Sequence, residues 1–161
     1  MKKVLLCIAI LAAGLMIASC KNNKKPQNQP ATQQAAPQAA PEADPVKTED
    51  RAWYTVDIPT SWEAKQYVSE MTVRRAGAEL NFKEQANSDI NNWIENINAD
   101  GGEKSDAIST GDITWNVFKN VYGFKTLYVA QVKDGVVRVG STYEDPNHPD
   151  AIKIIETVKA K

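Results

Sequence analysis

Every aromatic ring in this chain lies after residue 50: all four Trp, all five Tyr and all three Phe fall within residues 51–161. Residues 21–50 are mostly Pro, Gln, Ala, Asn and Lys, without one aromatic residue. A segment without large apolar residues cannot offset the entropy of its own ordering. The sequence therefore predicts one globular domain over 51–161, about 110 residues and near the commonest domain size. Residues 20–50 read as a tether.

The start of the chain carries a different signal. Met1-Lys2-Lys3 is a short basic stretch, and Val4 to Ile17 is apolar apart from Gly14. That apolar run is shorter than the roughly 20 residues a membrane-spanning helix needs. It ends in Ile17-Ala18-Ser19-Cys20, which resembles the lipobox of bacterial lipoproteins. The resemblance implies that residues 1–19 are a signal peptide, cut before Cys20, and that Cys20 carries fatty acyl chains. Each buried methylene contributes about 0.8 kcal/mol, and two or more chains hold a protein at a membrane where one does not. The alternatives are an ordinary secretory signal with a chance cysteine, or an uncleaved anchor. Cys7 leaves with the signal, so no thiol or disulfide remains for the domain. Lys21, not Asp, follows Cys20. The expected address is the cell envelope, on the periplasmic face of an outer membrane if the host is diderm.

Pro26, Pro30, Pro37, Pro41 and Pro45 punctuate the tether, with no helical or strand period between them. Such a segment is a disordered, partly polyproline spacer, spanning about 30 Å as a coil and about 90 Å fully extended. Lys21, Lys24 and Lys25 sit beside the lipid site, where they either meet anionic headgroups or begin a solvated linker. The chain is formally −1 and loses Lys2 and Lys3 on processing, so the exported part is net acidic. No long basic run marks a nucleic-acid partner.

Within 51–161 the pattern is mostly strand. Trp53 to Ile58 alternates and stops at Pro59, and Trp62 to Val68 is a weaker second strand. Met71–Ala76 and Ala78–Gln85 form a hairpin about Gly77. A helix follows, capped by Ser88, with Ile90, Trp93, Ile94 and Ile97 on one face and Gly101-Gly102 as its stop. Ser105–Thr110 and Ile113–Phe118 turn about Gly111-Asp112. Lys125–Val132 pairs with Val136–Tyr143 across Lys133-Asp134-Gly135. Asp150 to Lys159 reads as a last helix. The fold class is α+β, an antiparallel sheet with helices packed on it; the alternative is a small β-barrel with an accessory helix.

An aromatic strand leading into Ile58-Pro59-Thr60-Ser61-Trp62 resembles the opening of PsbP-like domains. The mid-chain helix, the strand holding Trp115, the final hairpin and the C-terminal helix suit the same pattern. That family includes an extrinsic photosystem subunit and a Ran-binding yeast relative. The resemblance implies an αβα sandwich and a non-enzymatic binding or assembly role, and it transfers no catalytic residues.

Chemistry in the residues is sparse. His148 is the one histidine, and no serine sits in a nucleophile elbow, so it reads as a helix cap. Asp145, Asn147 and Asp150 lack the spacing of a calcium loop. Gly101-Gly102 is no phosphate loop, and Glu103 and Asp106 have no evident partner. No catalytic residue, metal or cofactor is expected. Most aromatic residues read as core. Trp62, Tyr122 and Phe124 lie at turns and are the candidate ligand-binding residues. The expected function is a membrane-anchored binding or assembly module with a protein or glycan partner. The alternatives are an envelope hydrolase or carbohydrate-active enzyme using surface carboxylates, and a structural domain that binds its own copies.

Overall fold

A computed structural model describes residues 43–161. The signal segment, Cys20 and most of the tether lie outside the described residues.

Among the described residues ten strands and two helices follow one another: β1 (Val46–Asp50), β2 (Tyr54–Pro59), β3 (Glu63–Gln66), β4 (Glu70–Arg75), β5 (Ala78–Ala86), α1 (Ile90–Ala99), β6 (Glu103–Thr110), β7 (Ile113–Val121), β8 (Phe124–Val132), β9 (Gly135–Ser141), α2 (Pro149–Ile155) and β10 (Lys159–Ala160). All pairings are antiparallel. Seven strands form one sheet in the order β3-β4-β5-β9-β8-β7-β6, and β1-β2-β10 form a small second one. β5 pairs β9 at the centre, so α1 must carry the chain from there to β6 at the far edge. The edges β3 and β6 do not meet. The sheet is therefore open, and the barrel alternative is wrong.

Alternation along the strands builds two cores, one on each face of the large sheet. On β8, Tyr128 and Ala130 point to one face, and Leu127 and Val129 to the other. The larger core joins Met71, Val73, Leu80, Phe82 and Trp115 to Tyr54 and Val56 of the small sheet and to Ile154 and Ile155 of α2. The smaller core joins Phe118, Leu127, Val129 and Val136 to Ile97, Trp93 and Ile94 of α1. The domain is thus α+β in layers: α1, the large sheet, then the small sheet with α2.

Three expectations are corrected. Strand β1 lies inside the segment read as tether, paired with β2 from Val46–Pro59 to Asp50–Thr55. Glu49 and Arg51 are buried there, Arg51 against the equally buried Glu84. The helix cap is Asp89, whose carboxylate accepts from Asn91 N–H at 2.7 Å, while Ser88 Oγ accepts from the Trp93 indole at 2.7 Å. The last helix stops at Ile155 rather than Lys159. Thr157 Oγ donates to Ile154 O at 2.7 Å and accepts from Asp57 N–H at 2.9 Å, and the chain then enters β10 beside β2. Val158 is buried although it lies beyond the helix, so its apolar character continues the helical period and hides the change.

Candidate functional site

α1 covers only part of its face of the large sheet. Beyond it, β4, β5 and β9 present a polar surface. Residues in register across the strands share that face: Glu70 on β4, Lys83 on β5, Arg138 on β9 and Val129 on β8 form one row. Thr72, Asn81, Gly140 and Leu127 form the next. These rows floor an open hollow of about 350 Å³, walled by Tyr122 and Phe124.

Arg138 is the centre of the arrangement. Its guanidinium carbon lies 4.0 Å from the Trp93 ring centroid and 6.0 Å from that of Tyr122. Cation–π attraction of this kind contributes more as the cation loses water. Both rings are tied down. The Trp93 indole donates to Ser88, and the Tyr122 hydroxyl donates to Asp100 Oδ2 at 2.8 Å, at the end of α1. Burial, then the Asp100 carboxylate, holds the Tyr122 hydroxyl above its ordinary pKa, so it remains a donor. Burial pulls Arg138 below its ordinary value. Among the described residues Arg138 makes no ion pair, and neither does Lys83 directly opposite it.

Local sequence explains how the aromatic wall forms. Tyr122 and Gly123 both have positive φ, at 55° and 81°, joining β7 to β8 in a two-residue hairpin. Positive φ in a tyrosine is strained, and Tyr122 as a residue is 42 % exposed. Phe124 then starts β8 with its ring against Gly140, where any Cβ would come within 2.5 Å of three ring carbons. Asn81 Nδ2 donates to Glu70 Oε1 at 2.6 Å and to Thr72 Oγ at 3.3 Å, fixing the far side of the floor.

Tyr122 and Phe124 are therefore brought together in the lining of one hollow. Trp62 is not with them. It is only 6 % exposed and packs into the core on the opposite face, with Arg75 stacked 4.8 Å from its ring centroid. A turn residue can still bury its ring when the adjoining sheet offers a gap, and here it does. The sequence reading misses Arg138, Lys83 and Trp93. One signal pointed to Arg138: it is the single charge within Val136-Val137-Arg138-Val139, a run otherwise fully apolar.

His148 caps α2, its Nδ1 accepting from Asp150 N–H at 3.3 Å, and its ring stacks 3.7 Å from that of Tyr143. Asp150 accepts from Arg75 and Tyr143, and Asp145 accepts from Asn147 N–H. Among the described residues no three His, Cys, Asp or Glu side chains converge as a metal would require. A larger hollow, about 540 Å³, lies at the Gly111 turn beside β10. Its charged walls, Asp112, Lys133, Glu156 and Lys159, are exposed residues of both signs, so nothing there converges on a ligand.

No family model matches this chain, and no curated protein or solved structure matches it.

Proposed function

We propose that this chain is a bacterial envelope lipoprotein, held to a membrane through acyl chains on Cys20, whose α+β domain binds a ligand and performs no reaction. The reading takes the domain as a PsbP-like αβα sandwich, with α1 on one side and α2 on the other. It takes the hollow beside α1 as the binding face. One observation carries it: Arg138 is half-buried beside two anchored rings, lines an opening and has no carboxylate in ion-pair contact within the described residues. A desolvated cation costs stability unless something pairs with it. Such a residue is expected where the partner arrives from outside. The hydrolase alternative gains no comparable support, because His148 is occupied as a cap and stacked on Tyr143.

The test is capture from detergent-solubilised envelope with the full acylated chain, followed by mass spectrometry of what is retained. Tyr122→Asn is the control, since asparagine tolerates positive φ and keeps the turn. Species held by the native chain and lost from the variant support the reading. Identical retention by both would contradict it.

A further inference from the structure

We infer that the hollow is an oxyanion site: it takes the carboxylate or phosphate group of a small ligand between Arg138 and Lys83, with the ligand's body against Phe124. This rests on the reading of the hollow as the binding face, and it names the chemistry of what binds there.

Lys83 and Arg138 stand directly opposite each other on adjacent antiparallel strands, on one face. Like charges in that position repel and destabilise the pair of strands. The lining holds those two cations and a single carboxylate, Glu70, which already accepts from Asn81. The hollow is thus net positive within a chain that is formally −1. Glu70 stands opposite Lys83 and its charge reaches Arg138, but it forms an ion pair with neither, so an anion placed between the two cations supplies a close partner that both lack.

Trp93 and Tyr122 flank the Arg138 guanidinium carbon at 4.0 and 6.0 Å, and among the described residues it forms no ion pair, so its N–H groups are open to a ligand. Their planar edge matches two oxygens of a carboxylate or a phosphate. The mobile ammonium of Lys83, on an exposed side chain, can close on the same group as a point charge. Phe124 lies against Gly140 in the same lining, a ring surface adjoining the charged one. About 350 Å³ suits a small molecule.

The test is nuclear magnetic resonance of the full chain in detergent, labelled with nitrogen-15. Sodium phosphate and sodium acetate are titrated separately, at constant ionic strength balanced with chloride. The Trp93 indole N–H and the Arg138 Nε–H report the site. Saturable shifts with a millimolar midpoint are expected for at least one of the two anions. The midpoint should weaken about fivefold or more in Lys83→Gln, and the saturable Trp93 shift should vanish in Arg138→Gln. Tighter phosphate identifies a phosphate-bearing ligand, and tighter acetate a carboxylate. Linear shifts without saturation for both anions would overturn the inference, as would an unchanged midpoint in Lys83→Gln, a surface variant that leaves the core intact. If the anions fail while envelope capture still depends on Tyr122, the binding module stands and the oxyanion assignment falls. If both fail, both fall.

Discussion

Phe124 and Gly140 occupy one shared volume: the phenyl ring sits where a side chain at residue 140 would have to go. The two strands are neighbours, with Leu127 in register with Gly140, so the ring crosses from the start of β8 onto β9. Gly140→Ala therefore has nowhere to place its methyl group. Either the ring leaves the sheet or the strands separate. The expected cost is about 1–3 kcal/mol, read as a lowered urea midpoint. The Phe124 ring resonances should shift with it. An unchanged midpoint and unshifted ring would contradict the packing.

Arg51 and Glu84 form an ion pair with both side chains about 95 % buried. Arg51 also donates to Tyr67 O at 3.3 Å, tying the end of β1 to the β3–β4 turn. Removing one partner leaves a charge in the core. Glu84→Ala should cost about 3–5 kcal/mol, whereas Arg51→Met with Glu84→Leu should cost much less, since an apolar pair needs no compensation. Chemical denaturation of the two variants checks this. Equal losses would show that the pair acts only through packing.

Asp150 gives the domain an acid-sensitive contact. Burial alone would raise its pKa, but hydrogen bonds from Arg75 and Tyr143 outweigh that and hold the carboxyl below its ordinary value. A depressed carboxylate stabilises the fold above the unfolded pKa of about 3.9. That contribution is lost as pH falls through the folded value. Asp150→Asn should thus lower the urea midpoint at pH 7, and the gap to the native chain should narrow at pH 3. A gap that is constant with pH would mean that the carboxylate charge plays no part.

Much of the sheet was legible because its strands alternate and its turns use Gly77, Gly111, Gly123 and Gly135. The α1 face was legible from Ile90, Trp93, Ile94 and Ile97. What escaped depends on partners distant in sequence. β1 has no aromatic residue and resembles linker, and only its register with β2 makes Glu49 and Arg51 part of the core. β10 continues a helical pattern that Thr157 interrupts by bonding to Asp57, 100 residues away in the chain. The candidate site divides the same way. Tyr122 and Phe124 were visible as a turn. Arg138 and Lys83 became a pair only when β5 and β9 met, because a cross-strand neighbour has no signature in local sequence.

The most direct measurement is a hydrogen-exchange footprint of the full acylated chain, with and without solubilised envelope components. Added protection is predicted at Lys83, Tyr122–Phe124 and Arg138, on the face beside α1. Protection confined to the opposite face, around Trp62 and the small sheet, would contradict the account.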